Sequence, residues 1–138
     1  MYEEVKAKHI RAGDEAWNRG NLGLLSEIMA GSVVTHFPPG PDKVGLDAYK
    51  QWVMDIRSIL PDLHVTYDKV IFEDGWSGWL GTTEGTHVET GKHVHVIWTM
   101  MMRMANGKIV EIWNVMDMIG YREQLGLPLA TQPVMQPA

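Results

Sequence analysis

The stretch His93-Val94-His95-Val96-Ile97-Trp98-Thr99-Met100-Met101-Met102-Arg103-Met104-Ala105, then Asn106-Gly107, then Lys108-Ile109-Val110-Glu111-Ile112-Trp113-Asn114-Val115-Met116-Asp117-Met118-Ile119, decides the fold. Both halves are rich in β-branched, aromatic and apolar residues. Asn-Gly between two such runs is a strong hairpin signal, because both turn positions need a left-handed backbone. Period-two patterning extends upstream and predicts four strands, at residues 63–72, 76–88, 92–104 and 108–119. The other separators are Glu73-Asp74-Gly75 and Thr90-Gly91.

The first third of the chain changes period. Tyr2, Val5, His9, Ala12, Ala16 and Trp17 recur at helical spacing, and this helix is expected to end near Asn18 with Gly20 in a left-handed cap. Asn21 caps a shorter second helix that buries Leu22, Leu25, Ile28 and Met29, and Gly31 breaks it. Residues 32–37 read as a strand that Pro38-Pro39-Gly40-Pro41 ends. A third helix at about 46–60 carries Tyr49, Trp52, Val53, Ile56 and Leu60 on one face, and Pro61 stops it. Helices first and an antiparallel meander afterwards make an α+β domain, three N-terminal helices on a strongly curved sheet. It spans residues 1–126. Residues 127–138, with Pro128, Pro133 and Pro137, are expected to form an extended arm or to be disordered.

Two-residue loops fix which side chains share a face. With such loops at Thr90-Gly91 and Asn106-Gly107, one face holds Trp79, Thr83, His87, Val94, Val96, Trp98, Met100, Met102, Trp113, Val115 and Asp117. This is an apolar, tryptophan-lined surface with two ionisable groups, and Gly85 and Val96 leave room over its middle. Apolar walls with a few convergent polar groups are the usual make-up of a small-molecule pocket. A three-residue loop at Glu73-Asp74-Gly75 adds Leu63, Val65 and Tyr67 to the same face. The opposite face, with Ile97, Thr99, Met101, Val110, Ile112, Asn114 and Met116, is also too apolar to be fully wet. It is a candidate dimer interface.

Composition narrows the function classes. The 138 residues suit one domain with its own core, with 45% hydrophobic and 21% charged residues. The absence of cysteine excludes a disulfide framework, a thiolate metal site and a cysteine nucleophile. A formal charge of −5 without a Lys/Arg cluster argues against nucleic acid or an anionic membrane as partner. No apolar run reaches membrane-span length, and the first residues do not form a signal peptide, so a cytoplasmic address is expected. Gly-x-Gly-x-x-Gly, Walker, Gly-x-Ser-x-Gly and His-Glu-x-x-His patterns are absent. His93-Val94-His95 places two imidazoles on one side of a strand but finds no third ligand, and no metal site is expected.

Asp117 is the sharpest candidate for chemistry. A carboxylate late in an apolar strand is costly to bury unpaired; desolvation by Trp98 and Trp113 is expected to raise its pKa into the range of general acids and bases. The competing reading is an aspartate that caps the turn at Gly120 or pairs with Arg122. His87, near a hairpin tip, and His36, before the Pro-Pro-Gly loop, are its candidate hydrogen-bond partners. The register sets the Cα atoms of Asp117 and His87 about 12 Å apart, a gap that sheet curvature or a substrate has to close.

Several pieces recur together: Ala16-Trp17-Asn18-Arg19-Gly20-Asn21, His36-Phe37-Pro38, Pro61-Asp62 and Gly85-Thr86-His87. The later ones are Arg103, the run Asn106-Gly107-Lys108-Ile109-Val110-Glu111-Ile112-Trp113, Asp117 with Gly120, and Gln124-Leu125-Gly126. In this order they resemble the SnoaL-like polyketide cyclases of the NTF2-like superfamily, over residues 3–126. The resemblance implies a cone-shaped α+β fold with a deep pocket and a homodimer through the outer sheet face. It implies intramolecular aldol closure of an apolar, polyketide-like carbonyl compound, with neither metal nor organic cofactor. Asp117 is then the acid/base with His87 and His36 beside it; Trp17, Phe37, Tyr49, Trp52, Trp79, Trp98, Met100 and Trp113 form the walls. Those cyclases carry a polar residue where this chain has Met100, and the superfamily also contains non-catalytic binders.

Overall fold

Strict alternation makes β5 (His93–Ala105) the spine of the sheet. Val94, Val96, Trp98, Met100 and Met102 are buried, and His93, His95, Ile97, Thr99 and Met101 are exposed. In the computed structural model, which describes residues 2–127, the other strands are β1 (Met29–His36), β2 (Lys43–Val44), β3 (His64–Glu73), β4 (Trp76–Thr86) and β6 (Lys108–Met116). They form one sheet in the order β2-β1-β6-β5-β4-β3. All neighbours are antiparallel except β1 and β6, which run parallel. Of the expected arm over 127–138, residues 128–138 lie outside the described residues.

The helices are α1 (Glu3–Gly13), α2 (Leu25–Ile28), α3 (Leu46–Ile59) and α4 (Met118–Leu125). The architecture is α+β as expected, but the described residues form four helices, not three. The fourth begins where the sequence reads as the end of a strand. Helix α1 runs on into a π-helical turn at Asp14–Asn18. That turn aims the Asn18 amide at the edge of β3. Asn18 Nδ2 donates to the Val65 carbonyl (3.0 Å) and Val65 N–H donates to Asn18 Oδ1 (2.6 Å), as a strand neighbour would. Gly20 follows with φ +76°, the left-handed cap.

Two of the short sequence pieces meet in space. Asp62 accepts from Thr86 N–H (2.6 Å) and from the Thr86 hydroxyl (2.8 Å), which closes the chain after α3 onto the end of β4. These bonds hold the Asp62 carboxyl below its ordinary pKa. Among the described residues no helix is long and apolar enough to cross a membrane.

The turns largely decide the faces, and two bulges complete the decision. At the β3–β4 turn Glu73 pairs with Trp76, so the loop is Asp74-Gly75, two residues with φ +45° and +80°, and not the expected three. That loop alone would turn Leu63, Val65 and Tyr67 outward. A bulge at Asp68, between Tyr67 opposite Gly81 and Lys69 opposite Leu80, restores them to the inner face. Between β4 and β5 the loop is longer than expected and Thr83 pairs with Val96 rather than Trp98. An offset of two residues preserves every face.

On β6 the outcome reverses. Ala105 pairs with Lys108 across Asn106-Gly107, as expected. Met104 then pairs with Ile109, but Arg103 pairs with Glu111, and Val110 is the extra residue of a second bulge. One inserted residue exchanges the faces of the whole strand. Ile109 and Ile112 are fully buried and Asn114 and Met116 face inward, whereas Trp113 and Val115 belong to the outer face.

Candidate ligand-binding cavity

Helices α1, α3 and α4 cover the inner face of the sheet incompletely and leave a cavity of about 310 Å³ between them. Of the expected walls, Trp17, Tyr49 and Trp52 come from the helical side and Phe37 from the end of β1. Trp79, Trp98 and Met100 come from the sheet. Trp113 does not reach the cavity. It lies on the outer face between His36 (ring centroids 5.2 Å) and Trp76 (5.5 Å), in a near-parallel stack.

The walls hold one another rigidly. Trp52 meets Trp17 (5.0 Å), Phe37 (4.9 Å) and Tyr49 (5.4 Å), mostly edge to face. Tyr67 meets Trp79 (5.7 Å) and Trp98 (5.8 Å) in the same way. Such pairs contribute about 0.5–1.5 kcal/mol each beyond area burial. The Trp98 ring lies directly on Gly81, where a Cβ would collide with the indole and with the Thr66 carbonyl.

Polar groups in the cavity are few and uncharged. Among the described residues, no Asp, Glu, Lys or Arg lines it. Trp17 Nε1 donates to the Tyr49 hydroxyl (3.1 Å), and burial pushes the Tyr49 phenol up to about 12. Burial also raises Tyr67 and Tyr121, so all three phenols stay protonated. Asn114 reaches Met100 Sδ at 3.7 Å, a weak acceptor that leaves its amide oxygen free for a ligand. His9, on the inner side of α1, is 6% exposed and lines the cavity. Desolvation, with help from the Lys8 charge, lowers its pKa to about 4, so the imidazole is neutral at neutral pH. Two buried nitrogens of cavity-lining residues, His9 Nδ1 and Trp98 Nε1, have no hydrogen-bond partner among the described residues.

The three expected acid/base residues are not brought together, and none lines the cavity. Asp117 is exposed at the N-cap of α4, where its carboxylate accepts from Gly120 N–H (2.9 Å). The Val110 bulge turned its strand, and the chain leaves the sheet at Asp117 to start a helix. The expected desolvation by Trp98 and Trp113 therefore has no geometric basis. His87 lies in the β4–β5 loop, where Nδ1 meets Thr90 N–H and the Thr90 hydroxyl, each at 3.3 Å. It misses the cavity because β4 ends at Thr86, one residue earlier. Asp117→Ala removes the cap and is expected to cost about 1 kcal/mol, whereas Asp117→Asn is nearly neutral because Asn caps equally well. Urea denaturation of the two variants checks this.

His36 sits on the outer face, clamped by Asp42 at Nδ1 (2.8 Å) and Glu111 at Nε2 (2.7 Å). Arg103 binds the other Glu111 oxygen at 3.1 Å. The hydrogen bond to Glu111, then that to Asp42, raises the His36 pKa. A histidine shifted upward stabilises the fold fully below its free value of 6.5 and ceases to as the pH rises through the higher folded value. Stability is thus expected to decline above pH 6.5 in wild type. Glu111→Gln should bring the His36 midpoint back toward its ordinary value in an NMR titration, and an unchanged midpoint would remove Glu111 as the cause.

The missed functional candidate is His9. It reads as one position on the buried face of a helix, yet His9, Gly13 and Trp17 at spacings of four all line the cavity. An imidazole on an otherwise apolar ridge was the available signal.

Comparison with solved structures supports the fold. A protein of Jannaschia sp. CCS1 named as a SnoaL-like polyketide cyclase superposes with a TM-score of 0.80 at 17% identity, covering 89% of this chain and 92% of that one. IdmH of Streptomyces antibioticus, named as a polyketide cyclase, gives 0.76 at 24% identity, with 88% and 98% covered. TsrD of Streptomyces laurentii gives 0.80 at 20% identity, with 90% and 96% covered. Another neighbour, from Catenulispora acidiphila, is described as having a ketosteroid isomerase-like fold and gives 0.75 at 19% identity. No curated protein matches the sequence. The family model for SnoaL-like polyketide cyclases matches residues 7–125, nearly the whole described fold, and the chain belongs to that family.

Proposed function

We propose that the protein is a cofactor-free enzyme of the cyclase type that encloses an apolar, polyketide-like carbonyl compound in the cavity and closes a ring by an aldol step. The observation that carries this reading is the cavity itself. It is apolar and aromatic-walled, and its polar groups are neutral donors and acceptors. A carbonyl oxygen that gains negative charge during the reaction is stabilised by donors already in place in a water-poor site. Protonated Tyr67 and the unpartnered Trp98 N–H are such donors. Asp117, exposed at its helix cap, takes no part in the proposed step.

A binder without chemistry is the second reading, and the lack of a lining carboxylate among the described residues favours it. Benzoylacetone separates the two. In D₂O the enzyme reading expects tryptophan quenching on binding, together with faster exchange of the methylene hydrogens than buffer alone gives. Quenching without faster exchange supports the binder.

The outer sheet face is proposed to pair with a second copy, since Ile97 (52%), Met101 (46%) and Val115 (52%) are exposed side by side on β5 and β6. A light-scattering mass of one chain in dilute buffer would remove the dimer.

A further inference from the structure

We propose that His9 is the catalytic base of this cavity, taking the proton from a ligand carbon that lies between two carbonyl groups. This inference rests on the enzyme reading above. The side chain is almost wholly buried at 6% exposure, lines the cavity, and has a ring nitrogen, Nδ1, with no hydrogen-bond partner among the described residues. Buried polar atoms are normally satisfied, and an orphan next to a ligand-sized cavity is explained by a ligand group that completes it. The tyrosines that share the cavity, Tyr49 on α3, Tyr67 on β3 and Tyr121 on α4, are protonated and can only donate or accept hydrogen bonds at neutral pH. Among the described residues no carboxylate lines the cavity, and the imidazole is the one lining side chain with a basic lone pair ready for a proton.

Its surroundings fix its chemistry. Phe72 of β3 packs against the ring (6.1 Å), and Lys8, its neighbour on α1, adds a like charge that disfavours protonation. The imidazole is therefore free over the whole physiological range but is a weak base. A weak base succeeds only where the carbon acid is strong. That selects a methylene flanked by two carbonyls over a simple ketone.

The step balances without a co-reactant. The C–H bond breaks, its proton goes to the imidazole, and the electron pair passes to the enolate. The enolate carbon then forms a C–C bond to a second carbonyl of the same molecule. The resulting alkoxide recovers the proton from His9, and the neutral ring is regenerated.

The test follows benzoylacetone methylene exchange in D₂O, with tryptophan quenching as the binding readout. Wild type should accelerate exchange, with a pH profile flat down to about pH 5 and falling toward the His9 value of about 4. His9→Ala should still quench but lose at least about a hundredfold in exchange rate, the low end of general-base contributions. Added imidazole should restore exchange, with the midpoint moved up toward that of free imidazole. A merely structural His9 gives no such rescue and no such shift. His9→Gln provides a second variant of similar size, and it should bind and stay slow. Undiminished exchange in either folded variant overturns the base assignment and leaves the enzyme reading standing. Wild type that quenches but never accelerates exchange overturns both.

Discussion

Gly81→Ala is expected to destabilise the protein by about 3 kcal/mol or more, at the upper end for an overpacked core and a large part of a domain's total stability. The new methyl group has no direction in which to relax. It meets the Thr66 carbonyl on β3, which is backbone, and the Trp98 ring, which Tyr67 already contacts edge-on. The same change displaces Trp98 and so disturbs the cavity wall. Gly31 in β1 is the control, since nothing lies within 4 Å of a Cβ there and its φ is not positive. Gly31→Ala should shift stability by less than about 0.5 kcal/mol. Urea midpoints for the two variants check the contrast; equal midpoints would mean that Trp98 does not rest on Gly81.

Deleting Val110 is expected to abolish cooperative folding. Without the extra residue the Asn106-Gly107 turn can persist only if the rest of β6 reverses its faces. Ile112, fully buried, and the inward-facing Asn114 and Met116 would then point to solvent, while Trp113 and Val115 turned inward. Each large apolar side chain lost from the core costs about 1.5–3 kcal/mol. Val110→Ala retains the bulge and is expected to keep a cooperative transition with native near-UV circular dichroism. A folded deletion variant would show that the turn, not the bulge, sets the register.

These two sites also mark what was legible in the sequence. The alternation of β5 is written in residues 93–105, and it survived a wrong loop length because the error was two residues, a full period. The inward set Leu63, Val65 and Tyr67 was legible from its apolarity, although two errors compensated there: a shorter turn and an unforeseen bulge at Asp68. On β6 nothing compensated. Glu111, Trp113 and Val115 alternate with Ile112, Asn114 and Met116, and both sets are apolar enough to be buried, so patterning could not choose a face. The bulge chose, and bulges have weak sequence signals when no glycine marks them. Asp117 followed from that error. Its spacing to Gly120 was the signal of a helix cap, which ends the strand before the carboxylate can enter the core. His36 was expected beside Asp117; its partners Asp42 and Glu111 are 6 and 75 positions away, and only the parallel pairing of β1 with β6 joins the second. The aromatic walls were the most legible part of the site. Large apolar side chains on a shared face need only the correct period, not the correct register.

If the cavity is where a carbonyl compound binds, the tryptophans provide an internal control. Trp17, Trp52, Trp79 and Trp98 line the cavity; Trp76 and Trp113 stack on the outer face. The most direct measurement is a ¹⁵N-indole NMR titration of the full chain with benzoylacetone. Saturable shifts are expected for the cavity indoles, the Trp98 N–H most of all as it gains a partner, with Trp76 and Trp113 unmoved. Shifts confined to Trp76 and Trp113 would contradict binding in the cavity.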